Sequence, residues 1–312
     1  MATTTTTVED LPADVLACAL RRLDGRSLAA ASCATAGLRA LAADPDTWRA
    51  LCLVRWPSLL AARPDLLSSS AVSPQRLFAD AFPFPSISDA APLAAEAPEL
   101  PAELVSAVDV YYRGAPLLSR AIETPASSSS WFLSSPFRVD AVESKSPSAA
   151  AMAPADLELS WIIIDPRGGG RALNVSSRRP VAVDRHWYTG EALVRYAVVL
   201  GGCKFEATVT CSEEETGTAT IREISLAVED ADGAAVSGEG ALRLLAAAMA
   251  GPRRGGDEEE AAAAAKRRYE EFVRSKRGRK ESKARKEVLV DLCCSAVSAV
   301  AVLSFIAAVV LR

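Results

Sequence analysis

A single histidine and three methionines occur in 312 residues, and aromatic residues make up only 6% of the chain. One imidazole, His186, leaves no room for a histidine-rich catalytic or metal centre. It lies in Asp184-Arg185-His186-Trp187-Tyr188, where no nucleophile–base–orienter set is visible, and it reads as a hydrogen-bonding residue at a strand end. The seven cysteines, at 18, 33, 52, 203, 211, 293 and 294, lack any Cys-x-x-Cys spacing. They sit in apolar runs, where free cysteine acts as a small hydrophobe, so neither a disulfide framework nor a metal site is expected. No cofactor motif is present either. Gly168-Gly169-Gly170 is not followed by Gly-Lys-Ser/Thr, and Ser127–Ser130 shows no nucleophile elbow. The opening MATTTTTVED has neither the basic start nor the apolar core of a signal peptide, and residues 1–7 read as a flexible lead-in. These shortages argue against an enzyme.

What is present comes in blocks. From Val8 to Leu60 the pattern is of short helices. Leu11-Pro12 opens the first, because the missing proline N–H has no intrahelical partner in a first turn. Val15, Leu16, Leu20 and Leu23 recur at helical spacing before Asp24-Gly25, read as a stop with a glycine free to take positive φ. Further helices are expected over roughly 27–34 and 38–42, and one from Asp44-Pro45 carrying Trp48 and Leu51. About fifty residues in short helices cannot bury that much leucine and tryptophan alone, so part of this surface needs a partner.

The set Leu11, Pro12, Val15, Leu16, Leu20, Leu23, Leu28, Cys33, Trp48 and Leu51 resembles the F-box pattern. Downstream phrases such as SAVDVYYRG, WFLSSPFRVD, SWIIIDPR and SSRRPVAVDRHWYTGEALVRYAVVL are similar to the C-terminal region of a group of plant F-box proteins. The likeness covers roughly 8–250. It implies docking onto a Skp-type adaptor, and through it a cullin, as the non-catalytic target-recognition subunit of an SCF-type ubiquitin ligase. Leu11, Pro12, Val15, Leu16, Leu20, Leu23, Leu28, Trp48 and Leu51 are the adaptor-contact candidates. The protein target is not specified by the resemblance.

Residues 61–103 are rich in Pro, Ser and Ala and read as a linker with at most a short helix near 74–81, pinned by Phe78, Phe82 and Phe84. From Leu104 the apolar period becomes two, and strands are expected through about residue 229. Trp161-Ile162-Ile163-Ile164 suits a strand covered on both faces, WFLSSPFRVDAV reads as strand from Trp131, and GALRLLAAAM reads as one helix. An antiparallel, sandwich-like β domain over 104–252 follows. Trp131, Trp161 and Trp187 are either core residues or a platform for a sugar or peptide. Trp131, Trp187 and His186 are therefore the target-binding candidates. A carbohydrate- or peptide-binding β domain, using the helical block for attachment only, is the alternative function.

The net charge of −4 hides an asymmetry. Residues 266–286 hold eleven Lys and Arg against three Glu, a local +8 that leaves −12 on the rest. The segment 253–286 reads as a charged helix, acids first and bases last, as the helix dipole favours. Leu292–Leu311 then gives twenty residues without a charge, and at ~1.5 Å per residue they span ~30 Å, a bilayer's hydrocarbon thickness. The basic segment stands where the positive-inside rule puts cytosolic charge. A single transmembrane helix over 288–311 is expected, with the rest facing the cytosol at the endoplasmic reticulum or nuclear envelope; a nuclear or cytoplasmic protein is the alternative. Nucleic-acid binding is the weaker reading of the basic run, since only Tyr269 and Phe272 offer stacking there. The whole is an α+β multidomain chain: helical cluster, β domain with a terminal helix, basic helix and membrane helix.

Overall fold

The computed structural model describes residues 11–61, 66–67, 72–82, 99–142, 149–150, 152–167, 170–213, 219–253 and 257–311. The threonine lead-in, Phe84, most of the Pro/Ser/Ala linker and Gly168-Gly169 lie outside them. The described chain is mixed helix and sheet, with two antiparallel sheets and an apolar C-terminal helix.

The N-terminal helices are set by their caps. α1 (Ala13–Leu20) starts after Pro12. α2 (Gly25–Ala34) is capped by Asp24, whose carboxylate accepts from Ser27 N at 2.8 Å. α3 (Ala36–Ala42) is capped by Thr35, accepting from Leu38 N at 3.2 Å, and α4 (Pro45–Arg55) begins with proline in its first turn. Asp24-Gly25 is therefore not a stop: Asp24 opens α2 and Gly25 is its first residue. The glycine is needed for closeness, since a Cβ there would lie 2.2 Å from Phe78 Cζ. A 3-10 turn (Pro57–Leu60) follows α4, and α5 (Pro74–Ala81) supplies Leu77 and Phe78 to the same core.

The first sheet holds β1 (Leu104–Tyr112), β2 (Ala115–Thr124), β5 (Leu157–Asp165) and β6 (Arg171–Asn174) in the order β2-β1-β5-β6. β1 and β2 turn through Arg113-Gly114, both at positive φ, as a two-residue hairpin requires. The second sheet runs β3 (Arg138–Val142), β10 (Ala219–Glu229), β9 (Cys203–Glu213), β8 (Ala192–Leu200), β7 (Ala182–Arg185), with the short β4 (Ala149–Ala150) also on β10. Trp131 does not begin a strand. Ser129 caps a short helix, α6 (Ser130–Ser134), through Phe132 N, and helical pitch turns Trp131 outward while Phe132 enters the core.

The four-stranded sheet is the middle of three layers. Leu104, Val108, Leu159, Trp161 and Ile163 face the second sheet and α7 (Gly238–Ala250). Val105, Ala107, Ile162 and Ile164, alternate residues of the same strands, face the N-terminal helices. This is why the Trp-Ile-Ile-Ile run is apolar on both faces. Polar groups tie helices to sheet: Trp56 Nε1 donates to Ser160 Oγ at 3.1 Å, and Ser58 donates from N and Oγ to Asp109 at 2.9 and 2.6 Å. The Tyr111 hydroxyl donates to the Arg55 carbonyl.

One continuous helix, α8 (Glu258–Val310), covers both the charged segment and the apolar tail. Its first turn is gripped from two layers. Glu258 pairs with Arg55 of α4 and with Arg178, and Arg179 reaches Glu259 at 3.0 Å.

Candidate functional site

α1 is divided along its length by the 3.6-residue period. Leu20 is buried and Leu16 and Leu23 are half-buried, so the stripe 16-20-23 faces α2 to α4. Leu11 (44% exposed) and Pro12, just before α1, and Val15 (49% exposed) in its first turn stand toward solvent. The other adaptor-contact candidates lie further in. Leu28 and Trp48 are buried, and Leu51 is half-buried. Trp48 is held by a hydrogen bond from Nε1 to the Ala42 carbonyl at 2.7 Å and by the Phe78 ring at a centroid distance of 5.5 Å. The ring of Phe78 also meets Trp56 and Phe82, so an aromatic row joins α4 to α5. The nine candidates thus separate into an outer group, Leu11, Pro12 and Val15, and an inner group that fixes the outer one in place.

Val54, 81% exposed on α4, is an apolar surface residue that the sequence pattern does not single out. Its signal is weak because Leu53 and Arg55 on either side are half-buried, and only the helix phase, set by Trp48 and Cys52, points Val54 outward. Cys52 is inert: burial pushes its thiol up to about 12. Beside Val54 a cleft of about 510 Å³ opens between α4, α5 and the first turn of α8. Of the arginines that line it, Arg55 and Arg178 share Glu258, Arg178 also meets Glu158 at 2.8 Å, and Arg26 lies 3.7 Å from Asp257.

The three target-binding candidates are not brought into one site. Trp131, 75% exposed, stands on α6, which leads into β3 at one edge of the second sheet. His186 and Trp187 stand on the turn between β7 and β8 at the opposite edge. Trp161 lies between the sheets, fully buried, and its Nε1–H has no hydrogen-bond partner. The β7–β8 turn is nonetheless an ordered aromatic tip. His186 N donates to the Glu191 carbonyl at 2.8 Å, and Thr189 N donates to His186 Nδ1 at 3.2 Å. Trp187 (90% exposed) stacks on His186 and meets Tyr188 edge-on. Such flat, rigid side chains bury area at low entropic cost when a partner covers them.

Among the described residues no group of three or more His, Cys, Asp or Glu is placed to hold a metal ion, and none of the seven cysteines is in a disulfide. The apolar part of α8 is uncovered: the most apolar 18-residue window of this helix has a mean hydropathy of 2.4 and none of it is buried. By length and composition it is able to cross a membrane.

The described residues thus present exposed apolar side chains on packed layers. No family model matches the chain. No solved structure matches it. Curated relatives do, over most of its length, all from Arabidopsis thaliana. One named as a probable F-box protein is 36% identical, covering 88% of this chain and 84% of its own. Two more named as F-box proteins are 36% identical (86% and 80% covered) and 34% identical (88% of each). The chain belongs to the family of plant F-box proteins.

Proposed function

We propose that this protein is a non-catalytic target-recruiting subunit of an SCF-type ubiquitin ligase, in which residues 8–60 hold a Skp-type adaptor and through it a cullin. The carrying observation is the exposed start of the helical block, at and just before the first turn of α1. Leu11, Pro12 and Val15 are exposed while Leu20, Leu28 and Trp48 hold the helices from inside. The inner residues act by positioning, and Leu11, Pro12, Val15 and part of Leu16 make the contact. Residues 104–252 bind the target, and the β7–β8 tip is the surface offered to it. Residues 61–103 join the two parts. Ubiquitin transfer then follows from proximity, with a target held near the conjugating enzyme. Residues 253–286 and 288–311 tether this activity to a cytosol-facing membrane, raising the effective concentration of membrane-resident targets.

Because Leu11 and Pro12 are exposed and carry little of the internal core, the double substitution Leu11→Ala and Pro12→Ala tests docking without unfolding the chain. Adaptor co-purification should drop at least tenfold with an unchanged thermal midpoint; full recovery of adaptor by the variant would refute docking through α1. A second reading, a carbohydrate- or peptide-binding β domain with the helical block used for attachment, is favoured by the exposure of Trp187 and Tyr188. Retention on immobilised glycans that is lost in Trp187→Ala supports it, and binding of protein targets alone, lost in the same variant, removes it.

A further inference from the structure

We infer that Lys283, Arg285 and Lys286, at the end of the exposed basic stretch of α8, lie against anionic lipid headgroups, and that the helix holds the folded body at a fixed distance from the bilayer. This rests on the membrane reading of residues 288–311. The body's grip on α8 ends early. Phe272 is buried, Lys276 pairs with Glu229, and Arg279 meets Asp232 at 3.9 Å. Beyond Arg279 every described side chain of the helix is exposed. Leu292, where the uncharged run begins, lies thirteen positions beyond Arg279, so ~20 Å of bare helix stands between body and hydrocarbon.

That bare stretch is strongly charged. Residues 277–286 carry Arg277, Arg279, Lys280, Lys283, Arg285 and Lys286 against Glu281 alone. Glu287 and Asp291 follow, and the balance over 277–291 stays at +3. A headgroup layer extends ~5–8 Å beyond the hydrocarbon core. Lys286 sits ~9 Å and Lys283 ~14 Å from Leu292 along the helix. Both fall inside that layer or within a screening length of ~8 Å of it. The charges surround the helix instead of lining one side, which suits a rod passing through a layer of anions better than a rod lying on one. The stretch 277–291 has no aromatic residue, so the stacking that single-stranded nucleic acid uses is missing.

The same helix provides an internal reference. Lys266 is exposed and ~39 Å from Leu292, beyond the reach of a screened surface. The full-length chain is reconstituted into vesicles of phosphatidylcholine, with or without about 30% phosphatidylserine as the anionic lipid. Lysines are acylated with a water-soluble reagent and quantified by mass spectrometry. The Lys283-to-Lys266 labelling ratio should fall roughly fivefold in the anionic vesicles, the size of one such contact. It should return to the neutral-vesicle value in about 1 M salt, where the screening length is ~3 Å. An equal ratio in both vesicles, with protein resisting a carbonate wash, overturns this inference and leaves the membrane reading standing. Release by carbonate from both vesicles overturns the membrane reading and the inference with it. Protection of Lys283 by duplex RNA in neutral vesicles, with none from phosphatidylserine, assigns the stretch to nucleic acid and overturns the inference.

Discussion

Asp109 concentrates the cost of joining the helical block to the sheet in one carboxyl group. It is fully buried on β1, and it accepts from both the N–H and the hydroxyl of Ser58. Burial pushes its pKa above the ordinary 3.8, and hydrogen bonds from Ser119 and Ser58 only partly offset this. An acid whose folded pKa is raised binds more protons in the folded state, so its contribution to stability falls as pH rises from the ordinary value to the folded one. Asp109→Asn removes that titration. Urea midpoints measured from pH 3.5 upward should show the wild type losing ground to Asp109→Asn as pH rises, then running parallel. Parallel curves over the whole range would mean that the carboxyl titrates normally. Asp24 has the opposite sign: hydrogen bonds from Ser27 lower its pKa, so its cap is strongest above the ordinary carboxylate value and weakens in acid.

At the scale of elements, α2 approaches α5 closely at Gly25. Phe78, which a new Cβ would strike, is itself held by Trp48, Trp56 and Phe82 at 5.4–5.5 Å and has little freedom to yield. Gly25→Ala should therefore destabilise the protein by about 1–3 kcal/mol, as overpacking does. Gly37→Ala, in α3 with only Thr35 Oγ1 at 3.9 Å, should instead stabilise it by about 0.5–1 kcal/mol. Equal urea midpoints for the two variants would contradict this packing. The contrast also marks what was legible in the sequence. Asp24, Thr35 and Asp44-Pro45 act locally, so the helix starts they set lie close to where the sequence places them. Gly25 was misread as a stop because the reason for it, Phe78, lies 53 positions along the chain. Trp131-Phe132 was misread as strand because two adjacent apolar residues fit both periods, and the Ser129 cap decides between them.

For the whole molecule, the apolar excess of the N-terminal helices pointed to a partner, and the chain itself supplies half of that partner. The outer face of the four-stranded sheet covers Trp56, Leu59 and Phe78, a wall no local period announces, since it forms only when strands fifty residues apart pair as β1 and β5. Leu11, Pro12 and Val15, at and just before the start of α1, stay exposed. The same division explains the candidate site: Leu20, Leu28 and Trp48 share the leucine-and-tryptophan pattern with Leu11 and Val15, and only the packed helices separate inner from outer. Amide hydrogen exchange on the full-length chain, with and without a purified Skp-type adaptor, tests this two-sided arrangement most directly. The account predicts new protection over residues 11–18 and none at 58–59, where the Ser58 N–H already bonds Asp109 and the Leu59 N–H the Trp56 carbonyl. No protection at 11–18 with saturating adaptor, or protection confined to the β7–β8 turn, would contradict it.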